Sequence, residues 1–291
     1  MIACAIWLAP LLTTPIMALA WGVLIAGIVQ LGFQWLPLRQ INLVPRFKPN
    51  FKDPDVKRIL TLMLPAMFGV SVSQINLLLD TILASFFVAG SVSWLYTAGR
   101  LTELPLGLIG IAVATVILPT LSTKHAEKSD AEFRATIDWA LKVIFMVGVP
   151  ASLAMGILAE PLLASLFHHG QFDRTDVVKS AMALQALSGG ILAFMLVKVF
   201  APAFYARQDI KTPVRIGIIA MVANMVFNLM LVWHLEHVGL SLASTLSAFL
   251  NAGLLYWGLH KRGVFRLKAH WWKLGARYLV ANSAMVGVLL M

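Results

Sequence analysis

Residues 1–38 contain no charged side chain, and from Ile59 to Thr123 only Asp80, Arg100 and Glu103 interrupt a second apolar run. A helix that crosses a bilayer needs about 20 mostly apolar residues. The first run is too long for one span, and Pro10 and Pro15 divide it into the tail of one helix and a complete helix over about 15–38. In the second run Gly90, Ser91 and Ser93 mark a tight turn, which predicts a hairpin of two long helices. Further spans are predicted at about 135–159, 177–205, 213–233 and 238–260, and a last apolar run starts near Leu274. The expectation is seven complete spans with a partial one at each end. The N-terminal run lacks the basic n-region and small-residue cleavage site of a signal peptide. Because membrane chains rarely stop inside an apolar run, the sequence is expected to be a piece cut from a longer protein at both ends.

Composition agrees. Hydrophobic residues make up 59% of the 291 and charged residues 12%, about half of the ~25% charge usual in soluble domains, and mean hydropathy is +0.83. That balance excludes a soluble enzyme, a disordered chain and a nucleic-acid-binding module. The fold class is all-α, a polytopic membrane helix bundle. Cys4 is the only cysteine, which rules out a disulfide framework and a thiolate metal cluster.

The net charge of +10 is organised by topology. Eighteen of the 23 Lys and Arg residues fall in alternate loops, at 39–58, 124–134, 207–215 and 261–277. By the positive-inside rule these loops are cytoplasmic. Val44–Asp55, where prolines interleave with Phe47 and Phe51, reads either as a segment lying on the inner membrane surface or as a solvated linker.

Ionisable groups at membrane depth are costly and mark either a functional site or a buried pair. Asp80 and Arg100 each lie ten residues from Gly90, roughly 15 Å deep at 1.5 Å per residue. Glu103 follows Arg100 on the same helical face. This arrangement is either an inert intramembrane bridge, Arg100 with Glu103 or Asp80, or a cationic lining for an anionic solute, since guanidinium is the preferred partner of phosphate oxygens. Lys198, four residues before Pro202, is either a second cationic ligand or a side chain snorkelling to the inner headgroups.

Asn224 and Asn228 share a face, at a depth similar to Asp80, with Ser244 and Thr245 a little shallower on the next helix. One carboxylate, two amide carbonyls and hydroxyls make an all-oxygen set for a hard cation. The competing reading is interhelical hydrogen bonding, for which Asn, Ser and Thr are common in membrane bundles. His168 and His169 share an outer loop with Asp173 and Asp176, a weak metal signal. No phosphate-binding loop, zinc-protease motif or serine triad is present, nor the acid/base cluster near an interface that an intramembrane enzyme would want.

The stretches YTAGRLTELPLGLIGIAVATVILPTLS (96–122), VKVFAPAFYARQDIKTPV (197–214) and GLSLASTLSAFLNAGLLYW (239–257) resemble the MurJ (MviN) family of lipid II flippases, within the multidrug/oligosaccharidyl-lipid/polysaccharide exporter superfamily. The resemblance implies two six-helix lobes around a central cavity, with two further C-terminal helices. This chain would run from the fifth to the thirteenth helix. Residues 1–38 would be the end of the first lobe, 39–58 a cytoplasmic linker, 59–260 the complete second lobe, and 261–291 a cytoplasmic loop with the start of a further helix. The implied function is movement of the peptidoglycan precursor lipid II to the outer leaflet of the bacterial cytoplasmic membrane by alternating access, as a monomer among membrane lipids. Arg100 falls on the family's cavity arginine, implicated in pyrophosphate binding, with Glu103 on an acidic position beside it. Some members bind sodium in the second lobe, which adds weight to Na+ at Asp80, Asn224, Asn228, Ser244 and Thr245; no other cofactor is expected. Gly99 departs from the family, which often has an acidic residue there. Alternatives are an exporter of O-antigen-type lipid-linked glycans or drugs, and a non-transporting membrane scaffold.

Overall fold

The computed structural model describes residues 6–7, 10, 17–40, 53–266 and 270–290. Most of the expected interfacial segment at 44–55 lies outside the described residues. The chain divides into two units, Met1–Arg58 and Ile59–Met291. The first contains helix α1, Met17–Gln40. The second carries α2 (Pro54–Ser85, continuing from the boundary), α3 (Ser91–Pro105), α4 (Ala112–Ala126), α5 (Asp130–Ile157), α6 (Ala159–Phe167), α7 (Arg174–Ser188), α8 (Ile191–Tyr205), α9 (Lys211–Lys261) and α10 (His270–Leu289). Among the described residues there is no strand, as expected where lipid offers backbone groups no hydrogen bonds and a helix satisfies them internally.

Four helical stretches, Ala20–Gln40, Ser91–Ala126, Asp130–Ile157 and Lys211–Lys261, are long and apolar enough to cross a membrane, and the bent pair α7–α8 is a fifth candidate. The 51 residues of α9 would extend about 76 Å at 1.5 Å per residue, more than twice the ~30 Å hydrocarbon thickness. The helix therefore folds back at Glu236, whose φ of 49° breaks it, and makes two of the expected spans.

The α2–α3 hairpin turns at Gly90, where φ is 107° and a Cβ would lie 2.9 Å from the Trp94 ring. Backbone conformation and space both demand glycine there. The stretch expected as one span over 177–205 is instead broken. α7 and α8 meet at 41° across Gly189 and Gly190, and a Cβ on Gly190 would sit 2.8 Å from the Thr245 hydroxyl. A close helix crossing has taken precedence over helix continuity. The expected outer loop at 160–176 likewise contains the short helix α6.

Between α3 and α4 the residues Leu106–Ile111 form a π-helical turn directly after Pro105. Proline lacks the N–H that an α-helix needs, so the hydrogen-bond register widens there. The core beneath it joins α4, α5, α8 and the second half of α9 through Ile117, Ile137, Ile144 and Met195. A second cluster ties α3 to α6 and α7 through Leu101, Leu163 and Leu184. Small residues such as Ala140, Ala193 and Ala243 are fully buried, which is how membrane helices approach one another when lipid is as apolar as the core.

Candidate functional site

Helical periodicity sorts α3 into two faces. Thr97, Ala98 and Leu101 are buried, whereas Tyr96, Arg100 and Glu103 line a cavity of about 570 Å³. The same cavity is lined by Asp80 of α2 and Ser241 and Ser244 of α9. The structure therefore brings the arginine and the aspartate of the α2–α3 hairpin to one space without pairing them. Arg100 Nη1 donates to Glu103 Oε2 at 3.0 Å and Nη2 donates to the Tyr96 hydroxyl at 2.8 Å. The arginine side chain remains 55% exposed, so a guanidinium with unused donors faces the cavity.

Lys198 does not join that group. It lies exposed on α8 and lines a neighbouring cavity of about 380 Å³ with Tyr205 and Asn251. Asn76, Leu106, Phe194 and Ser247 wall both cavities, so the two are neighbours across a mixed polar and apolar wall.

The oxygen cluster assembles on α2 and the two arms of α9. Asn228 Nδ2 donates to Asp80 Oδ1 at 2.6 Å and to Asn224 Oδ1 at 3.0 Å. The Ser244 hydroxyl donates to Asp80 Oδ2 at 3.4 Å, and Asn224 Nδ2 donates to Ser244 and Ser247 at 3.4 Å each. Asn224 and Asn228 are buried. Thr245 is not brought to this group: its hydroxyl donates to the Ala186 carbonyl at 2.7 Å and joins the hairpin to α7. It points away because it is one residue, about 100° of helix, from Ser244. Ser247, one turn beyond Ser244, takes the place expected for it.

Two oxygens here have no hydrogen-bond partner although both are buried, Asn228 Oδ1 and the Ser241 hydroxyl. A buried acceptor left unmatched costs roughly 1–3 kcal/mol. A carboxylate, amide oxygens and hydroxyls around unmatched acceptors suit a hard, oxygen-seeking cation. The residues present therefore fit a hard cation.

The outer-loop aspartates serve a different purpose. Asp173 and Asp176 form a capping box at the start of α7, and Asp176 also accepts from Trp94 Nε1 at 2.7 Å. Among the described residues no group of three or more His, Cys, Asp or Glu side chains could hold a metal.

Three site residues, Tyr96, Ser241 and Ser247, were not predicted from the sequence, nor was the buried Asp138 at the α5–α10 contact. Tyr96 stands four residues before Arg100, and that spacing alone would have found it. Ser241 was readable in the same way from Ser244. Asp138 of α5 was not readable: it is buried, ion-paired with Lys142 at 2.7 Å, and accepts from Trp271 Nε1 of α10 at 2.6 Å. That partner lies 133 residues away.

The family model described as lipid II flippase MurJ matches residues 1–291. The probable lipid II flippase MurJ of Vibrio cholerae is 50% identical over 292 residues, with 100% of this chain and 55% of the relative covered. The Haemophilus influenzae relative of the same description is 48% identical, with 98% and 57% covered. The lipid II flippase MurJ of Burkholderia cenocepacia is 39% identical, with 99% and 57% covered. The chain spans about half the length of these curated relatives. A solved structure described as lipid II flippase MurJ in an inward closed conformation superposes with a TM-score of 0.70 over 85% of this chain and 51% of that one, at 24% identity. That likeness establishes the fold.

Proposed function

The chain belongs to the lipid II flippase MurJ family, and from that membership we propose that the protein moves lipid II from the inner to the outer leaflet of the bacterial cytoplasmic membrane. The observation that carries the reading is Arg100, an incompletely satisfied guanidinium facing a cavity among membrane-spanning helices. Lipid II presents a pyrophosphate that must pass the low-dielectric centre of the bilayer, and a fixed guanidinium offers parallel N–H donors to its oxygens. Glu103 balances part of the charge, and Lys198 in the adjoining cavity supplies a second cationic contact for the same headgroup.

In this reading the basic loops face the cytoplasm and hold the orientation, and two cavity-forming halves rock about the midplane so that the headgroup crosses while the polyprenyl tail stays in lipid. An inside-negative potential acts at about 2.3 kcal/mol per charge per 100 mV, so whatever net charge moves with the cavity is driven by it during the reset. Sodium at Asp80, Asn224, Asn228 and Ser244 would supply fixed positive charge to this wall. It biases the transport cycle to the extent that it binds one conformation better than the other.

The test replaces Arg100 with Ala in the full-length protein and asks whether it sustains growth of cells depleted of their own flippase. Loss of rescue at normal membrane abundance is expected. Full rescue removes Arg100 from headgroup binding and overturns the reading.

A further inference from the structure

Arg100 does not orient itself. Its two terminal nitrogens are held by Tyr96 and Glu103, and its Cζ lies 4.7 Å from the centroid of the Tyr96 ring. These residues sit at i−4, i and i+3, so successive turns of α3 build the clamp on the face that lines the cavity. A free arginine samples many rotamers, which a ligand would have to arrest on binding. Here the arrest is made in advance. A guanidinium carries five N–H donors. Tyr96 and Glu103 take one each, which leaves three for an incoming anion.

The two holders are not equivalent. Glu103 positions the guanidinium but sets a negative charge against any phosphate that approaches it. Tyr96 positions it with a neutral acceptor and an aromatic face, and so leaves the cationic charge in place. We propose that Tyr96 is the positioning residue of the anion site, fixing Arg100 through its hydroxyl and ring so that the unused donors meet a pyrophosphate headgroup together. The proposal rests on the reading of Arg100 as the headgroup ligand.

The probe is geranyl pyrophosphate, titrated by calorimetry into the chain in detergent. Tyr96→Phe, which keeps the ring and removes the hydroxyl, is expected to weaken binding about 3–10-fold, the range for one partly hydrated hydrogen bond to an ion. Tyr96→Leu also removes the ring face and costs a further ~2–5-fold. Both should melt within about 1 °C of the parent, since an exposed side chain contributes little to stability. The distinguishing measurement repeats Tyr96→Phe in an Arg100→Lys background. Lysine is a point charge with no planar fork to orient, so the Tyr96→Phe loss should vanish there. An equal loss in both backgrounds places Tyr96 on the ligand itself and overturns the positioning role. So does parent-like binding by Tyr96→Phe while Arg100→Ala loses the probe. No binding by the parent, or unchanged binding by Arg100→Ala, overturns the underlying reading of Arg100 and the proposal with it.

Discussion

Asp80→Ala separates a cation site from a structural hydrogen-bond network, because only the cation site predicts a stabilisation by sodium that the substitution abolishes. Without sodium the substitution removes two opposing terms. Asp80 accepts a 2.6 Å hydrogen bond from Asn228 and a 3.4 Å one from Ser244. Interhelical bonds of this kind are worth ~0.6 kcal/mol on average and ~1.7 at most, so their loss costs about 1–2 kcal/mol. On insertion scales a carboxylate at helix-centre depth costs ~2.5–3.5 kcal/mol, and Asp80 is expected to fall below that value because it is only partly buried and lines a cavity. The terms nearly cancel, so the variant should lie within about 1 kcal/mol of the parent in sodium-free choline buffer. At a sodium concentration 100-fold above its dissociation constant, the parent gains about 2.7 kcal/mol, or roughly 5–10 °C for a unit of this size. The variant should gain less than about 1 °C. The assay is thermal unfolding in detergent across a sodium series at constant ionic strength, with potassium and choline as controls. A sodium shift that is equal in Asp80→Ala and the parent refutes the site. So does a variant that is destabilised by several kcal/mol at every sodium concentration.

Other outcomes follow from particular contacts. Gly190→Val places carbon where the Thr245 hydroxyl and the Phe194 ring already sit within 3.0 Å, and overpacking of this kind should cost about 1–3 kcal/mol in thermal unfolding. Trp271→Phe removes the 2.6 Å hydrogen bond from α10 to the buried Asp138 and should destabilise by ~1–3 kcal/mol, with a double-mutant cycle against Asp138→Asn reporting the coupling. In the loop after α8, burial alone would push the Asp209 carboxyl up, but hydrogen bonds from Thr212 and the Arg262 guanidinium outweigh it and hold the carboxyl below its ordinary value of 3.8. A depressed carboxylate contributes stability that is complete above the unfolded-state value and is lost as pH falls through the folded-state value. Melting temperature should therefore decline with acidification below about pH 4 more steeply in the parent than in Asp209→Asn; parallel profiles would dismiss the clamp.

Legibility from sequence followed the range of the interaction. Span periodicity, the turn at Gly90 and the fold-back near Glu236 arise from residues within a few positions of one another, and each was readable. The grouping of Arg100 with Glu103 is also local, one helical turn. Asp80 with Asn228 is separated by 148 positions, yet matching depth still suggested it, because a membrane reduces helix placement nearly to one coordinate. Rotation about the helix axis was not legible. Thr245 and Ser244 have almost the same depth, but only Ser244 faces Asp80.

Sequence by itself determined the membrane character, the helical class, the arrangement of basic loops and the position of each costly polar group along its apolar run. These are consequences of transfer free energy and helix rise, which act residue by residue. Only the tertiary structure decided that Tyr96 holds Arg100, that Ser247 and not Thr245 completes the oxygen cluster, that α7 and α8 break at Gly190, and that Asp138 binds α10. Each of these depends on which helical face meets which neighbour. That choice is made by steric fit between helices already buried in an apolar medium, where hydropathy no longer distinguishes one face from another.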